Sequence, residues 1–319
     1  MSPCHVFVWA VVGLRYAWLR RAPLTKTERR AFLGVQEGVE MCSRNRAEGW
    51  RHAKISGHEN EDCIEQLLID DDVMASSFLS RIGKSGNHIL SIKGGGCSES
   101  NVPSVLGGST KSKSDMYVSL SNLEIARVSL KKSLGGQVYL VTIANFISVY
   151  EKHFEEIPSD VKRAIGLYWG SESDVSEIVK QYGGKHKAYE MRKHRLVAET
   201  LNKYNRNLAE CLINWFRRNI GKIAELCFSR GAAKDASDWA QFVWYKNELG
   251  EMSIDDILPI DQIALRSQDA SSRISFGSRT GGSTIQLPFG FVQWHSPSKQ
   301  IPGCLQFHHN YESVRQLFQ

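Results

Sequence analysis

No stretch of this 319-residue chain is apolar for long enough to cross a bilayer, which takes roughly 20 consecutive residues. The most hydrophobic segment, Val6 to Leu19, is interrupted by Arg15 and has no basic lead-in, so it reads neither as a membrane span nor as a secretion signal. Cysteine is sparse and scattered: seven residues with no CxxC pair exclude a disulfide framework or a zinc knuckle and point to a reducing, cytoplasmic setting. There is no internal repeat at solenoid or propeller spacing, and no low-complexity segment beyond a short Gly and Ser stretch. Acids are the minority charge, 34 against 40 Lys and Arg, and the net charge of +6 favours an anionic partner.

What is present is enough apolar residue, 42%, for a large core. Residues 1–40 read as an N-terminal extension, with two readings open: translation beginning at Met41, or a small helix docked on the core. Residues 41–155 read as the catalytic core. Residues 156–319 read as a helical lobe followed by β-hairpins, packed on that core as one domain. Helical spacing of Ile64, Leu67 and Leu68 predicts an amphipathic helix over Glu59 to Met74. Strands are expected at Ile89–Lys93, Asp115–Leu120, Ile125–Lys131 and Gln137–Val141, with a long surface loop over Gly94–Lys113. From Asn145 to Gly250 the pattern is helical, and Trp215, Phe216, Trp239, Phe242, Trp244 and Tyr245 read as core. Runs broken by Gly277, Gly281-Gly282 and Pro288 predict a late β-ribbon over Arg273–Trp294. The expected fold class is α/β (α+β): a mixed central sheet flanked by helices, with a helical lobe and a C-terminal β-ribbon.

The chemistry concentrates in "SKSDMYVSLSNLEIARVSLKKSLGGQVYL". Strand alternation puts Ala126, Val128 and Leu130 on one face and Arg127, Ser129 and Lys131 on the other. If Asp115 opens the neighbouring strand of a hairpin turning at Ser121-Asn122, its carboxylate and the Lys131 ammonium converge at one end of the sheet. A carboxylate there can hold Mg²⁺, and a lysine beside it can orient water and stabilise charge on a phosphate. One carboxylate holds Mg²⁺ weakly, so a second acid is needed. Glu61 lies at the edge of the buried helical stripe and is preferred; Glu59 points away and is the reserve, with Glu151 a third candidate. His58 reads as a local hydrogen-bonding residue.

The ordered set "SGHENE", "TKSKSD" and "VSLKKSLGGQVYL" resembles the PD-(D/E)XK nuclease superfamily, most closely its type II restriction endonucleases, with weaker likeness continuing to the C-terminus. The resemblance puts the family's first acid on Asp115 and its lysine on Lys131. The usual second acid, two residues before the lysine, falls on Ser129, a departure that some restriction enzymes share by drawing an acid from a helix. It implies a restriction-endonuclease-like fold, Mg²⁺-dependent hydrolysis of double-stranded DNA at a short sequence, and catalytic Asp115, Ser129 and Lys131, with the compensating glutamate left open and Glu61 preferred on helix geometry. Metal ligands would be Asp115 and Glu61, or Glu59. It also implies a prokaryotic cytoplasm and a cognate DNA methyltransferase encoded nearby. Cutting both strands of a palindrome calls for a homodimer or homotetramer, although a monomer nicking twice also satisfies the chemistry.

DNA contacts are expected from Lys111, Lys113, Lys132 and Gln137 around the motif, and from Lys187, Arg192 and Arg195 in the basic run "KHKAYEMRKHR", which would otherwise be a solvated helix face. Arg279 and Thr280 at a Gly-rich hairpin tip, with Gln293 nearby, are candidates for base contact. His308 and His309 face opposite ways on a strand and make a poor metal pair. Two alternatives stand beside the restriction reading: a structure-specific repair or recombination nuclease of the same superfamily, and a non-catalytic DNA-binding protein.

Overall fold

The structure, a computed structural model, describes residues 46–94, 101–183, 195–250, 254–278, 281–295 and 303–319. Residues Ala53–Gln319 form one compact unit, distinct from Met1–His52. The chain runs α1 (Arg46–Asp70), α2 (Asp72–Arg81), β1 (Ile89–Gly94), β2 (Asn101–Pro103), β3 (Ser109–Lys111), β4 (Met116–Leu120), β5 (Ile125–Lys131) and β6 (Gly135–Thr142). It continues through α3 (Ile143–His153), α4 (Ser159–Trp169), α5 (Val175–Tyr182), α6 (Ala198–Tyr204) and α7 (Arg206–Glu225). The last elements are β7 (Phe242–Lys246), β8 (Asp255–Pro259), α8 (Ile260–Asp269), β9 (Ser275–Phe276), β10 (Thr284–Leu287), β11 (Gly290–His295), β12 (Cys304–Asn310) and α9 (Tyr311–Arg315).

The expected mixed α/β architecture is present as two five-stranded sheets and a small ribbon. The first sheet has the order β1-β4-β5-β7-β8, antiparallel except for the parallel pair β5/β7. Its hairpin β4/β5 turns where expected, with Asn122 Oδ1 accepting from the Glu124 amide at 3.1 Å and Leu123 in the left-handed region at φ 67°. Ala126, Val128 and Leu130 pack on α1 and α2 through Ile64, Leu68 and Phe78, as the alternation predicts. The opposite face turns toward the larger core through Val243 and Tyr245, so the central strands are buried on both sides.

Several local expectations are corrected. The helix over Glu59–Met74 is two helices, because Asp71 leaves helical geometry and caps α2 by accepting from the Val73 and Met74 amides. The presumed loop Gly94–Lys113 contains the β2/β3 ribbon. The helical pattern to Gly250 ends earlier: Phe242–Lys246 is the strand β7, paired with β5, and its burial on both faces erases the alternation that would have marked it. The late β-ribbon is larger than two strands. β9 to β12 join β6 in a second, antiparallel sheet ordered β6-β12-β11-β10-β9.

α1 is tied to the first sheet by a buried polar clamp. Asn60, 1% exposed, donates from Nδ2 to the Lys246 carbonyl at 3.0 Å and accepts at Oδ1 from the Glu248 amide at 2.8 Å. Lys246 itself lies between Asp255, at 2.8 Å, and Glu248, at 2.6 Å, while Arg81 from α2 reaches Asp255 at 2.7 Å. Lys246 is the buried member of this cluster, and its acids are partly open to solvent. Asn60→Ala is expected to lower stability by about 2 kcal/mol, because two buried main-chain groups lose their partners. Urea unfolding checks this, and a loss below roughly 0.5 kcal/mol would mean that the amide does not hold α1.

Candidate active site

Asp115 sits immediately before β4, its amide donating to the Val128 carbonyl at 2.8 Å, so its side chain is carried to the edge of β5. There Oδ2 accepts from the Leu130 amide at 2.7 Å and from Ser129 Oγ at 3.0 Å. Lys131 Nζ donates to Ser129 Oγ at 2.6 Å and to the Leu130 carbonyl at 3.0 Å, and lies 3.7 Å from Asp115 Oδ2. Ser129 is 3% exposed and bridges acid and ammonium. A hydroxyl both donates and accepts, so it can join a carboxylate to an ammonium where a second carboxylate would only accept.

Glu61, on α1, lies within electrostatic range of Asp115 and Lys131. Burial, and then the negative charge of Asp115, raise its pKa to about 7, against the lowering influence of the His58 hydrogen bond and of Lys131. His58 Nδ1 lies 3.1 Å from Glu61 Oε2, the local role expected of it. Two carboxylates near enough for one to hinder ionisation of the other form a site that a divalent cation would relieve. The donor set therefore fits Mg²⁺, which commonly takes one or two carboxylates and completes its shell with water and substrate oxygens. Among the described residues, no group of three or more His, Cys, Asp or Glu is placed to hold a metal ion. Glu59 is exposed, and Glu151 accepts from the Ile157 amide at 3.0 Å and pairs with Lys162 at 2.7 Å.

The remaining candidates are divided. Lys113 Nζ donates to the Val138 carbonyl at 2.7 Å and lies 4.4 Å from the centre of the Tyr139 ring; burial, opposed by Cys227, pushes its pKa down to about 8. That carbonyl belongs to a bulge in β6, where the ladder with β12 slips, so Lys113 serves the fold at this contact. Lys111 and Gln137 are exposed and line, with Lys113, a cavity of about 650 Å³, while Lys132 is half-buried next to Lys131. Arg195, expected on a DNA-facing surface, is instead buried at 5% exposure, over Trp294 and 3.5 Å from the Tyr168 carbonyl. The apolar neighbours Leu196 and Val197 draw it inward. Lys187, Arg192, Arg279 and Thr280 lie outside the described residues.

One residue near the site was not singled out from the sequence. Asn60 falls between Glu59 and Glu61 on the stripe that contains Ile64 and Leu68, where an uncharged polar residue on a buried face is the signal of an internal hydrogen bond. His309 faces the core 3.1 Å from Tyr245 Oη, with His308 on the other side of the strand as expected.

No protein-family model matches the chain, and no curated protein matches it. Among solved structures, it is similar to a crystal structure of the restriction endonuclease MspI in complex with its cognate DNA. The TM-score is 0.43 and the identity 11%, over 74% of this chain and 77% of that one. Among the described residues, no helix is long and apolar enough to cross a membrane.

Burial, then the charges of Lys131 and His308, lower the pKa of His309 from 6.5 to about 3. Between those values the unfolded chain binds a proton that the folded chain refuses. Stability is therefore complete above the unfolded value and falls as pH drops below it, by up to roughly 1.4 kcal/mol per unit. His309→Gln is expected to flatten the acid limb of the unfolding curve between about pH 6.5 and 4.5 by roughly 2 kcal/mol. Equal limbs in wild type and variant would show that the folded protein accepts the proton.

Proposed function

We propose that the protein is a Mg²⁺-dependent endonuclease that hydrolyses phosphodiester bonds of double-stranded DNA at a short sequence, as type II restriction endonucleases do. The reading is carried by the hydrogen-bonded set Asp115, Ser129 and Lys131, with the Glu61 carboxylate held in its electrostatic reach. Mg²⁺ held by Asp115 and Glu61 would polarise a phosphoryl oxygen and lower the pKa of water. Lys131 presents an ammonium whose donors to Ser129 Oγ and the Leu130 carbonyl fix its direction. The third N–H is then available to a phosphate oxygen or the attacking water. Ser129 acts by positioning, since it holds acid and ammonium at one spacing. Glu61 brings the second carboxylate that β5 itself lacks.

Recognition of a palindrome would use two such sites in a homodimer or homotetramer. The setting would be a prokaryotic cytoplasm in which a methyltransferase encoded nearby protects the host DNA. A non-catalytic DNA-binding protein would have no use for an acid, a hydroxyl and an ammonium joined across neighbouring strands, which favours the enzyme.

The test is digestion of phage DNA with Mg²⁺. Asp115→Ala and Lys131→Ala should each slow cleavage by about 10³-fold, and Ser129→Ala by about 10- to 100-fold. Glu61→Gln should cost far more than Glu59→Gln. Discrete fragments with a common end sequence would support restriction, whereas cutting confined to branched or mismatched DNA would support a repair nuclease. Undiminished cleavage by Asp115→Ala would overturn the assignment of the site.

A further inference from the structure

The outer face of the second sheet carries a chain of amides. Gln306 Nε2 on β12 donates to Gln137 Oε1 on β6 at 2.9 Å, and Gln293 Nε2 on β11 donates to Gln306 Oε1 at 2.9 Å. Gln293 Nε2 also lies 3.2 Å from His308 Nε2. The register sets Gln293 directly opposite Gln306, while His308 stacks on its cross-strand neighbour Phe291 with ring centres 4.6 Å apart. Exposed Gln286, opposite Phe291 on β10, extends the polar face. The other side of these strands is core, with Ile285, Val292, Leu305 and Phe307 all 0% exposed.

Three features set this face apart from an ordinary solvated sheet surface. First, Gln137 reaches it through the β6 bulge. Leu140 is paired with Gln306, and plain alternation from Leu140 would send Gln137 inward, but the extra residue at Val138 reverses its side. Second, the amides run in one direction. Gln306 cannot exchange its oxygen and nitrogen by itself without breaking both neighbours, so the three amides are oriented as one unit. Third, Thr284, Gln286, Phe291, Gln293, Gln306 and His308 include no acid, and burial followed by the charge of His295 holds the His308 pKa below its ordinary value. An acid-free face tolerates a polyanion, and one end of the ladder, at Gln137, shares a cavity wall with Lys111 and Lys113, next to the Asp115 segment.

Resting on the nuclease reading for its substrate, we propose that this face reads base edges in the major groove of duplex DNA, with Gln306 as its central amide. Glutamine amides suit bidentate pairing with adenine in the major groove, and side chains standing on β-ribbons or β-sheets can read groove edges.

The full chain can be tested for sequence-selective binding without cleavage, in Ca²⁺, against a pool of random DNA duplexes whose bound fraction is sequenced. Wild type should enrich one short motif. Gln306→Ala, and Gln306→Met, which keeps the side-chain length, should lose about 10-fold or more of the enrichment at one or more positions. Their affinity for unselected duplex should stay within about threefold, with the thermal midpoint unchanged. The proposal is overturned if wild type enriches no motif, or if both variants enrich the wild-type motif equally well. Enrichment of a motif by a protein that never cuts DNA would sink the nuclease reading and leave the ladder standing.

Discussion

The structure around the site depends on one carboxylate being held against one strand. Asp115 Oδ2 takes hydrogen bonds from the Leu130 amide and Ser129 Oγ, and its own amide bonds to the Val128 carbonyl. Those contacts fix the start of β4 to the end of β5 and place Lys131 within 3.7 Å. A charged acceptor held by a main-chain donor gains a stronger hydrogen bond than a neutral one, and its geometry is set by the backbone. Every other group at the site is positioned relative to that acid.

Two kinds of support keep the geometry in place. On one side, Asn60 and the Arg81, Lys246, Asp255 cluster attach the first two helices to β7 and β8, which delivers Glu61 to the end of the sheet. On the other, Tyr245 pairs with Lys131 across the parallel strands and contacts His309 of the second sheet. β5 and β7 therefore lie between a helical layer and the larger core that includes the second sheet. Lys113 has a connecting role: its ammonium satisfies the carbonyl freed by the β6 bulge, and the same bulge puts Gln137 on the outer face.

Much of the first sheet was legible from residue types. Ile125–Lys131 is a strand with the ends expected, its alternation matches the observed faces, and the turn at Ser121-Asn122 is present. β7 was not legible. A strand covered on both faces has no period-two pattern, and the aromatic residues Phe242, Trp244 and Tyr245 suit a buried helix equally well. The burial of Arg195 was hidden for a related reason: charge density counts cations but does not show which one is drawn over a tryptophan.

The sequence by itself determined the local chemistry: an acid at the head of one strand, a serine and a lysine two residues apart on one face of the next, and a glutamate at the margin of a helical stripe. These follow from covalent spacing and the periods of strand and helix. Only the tertiary structure decided that residues more than a hundred positions downstream complete the same sheet, and that three distant glutamines share one face. Such pairings bring together segments far apart in the chain, and they are set by packing and hydrogen-bond satisfaction in three dimensions, which no local pattern encodes.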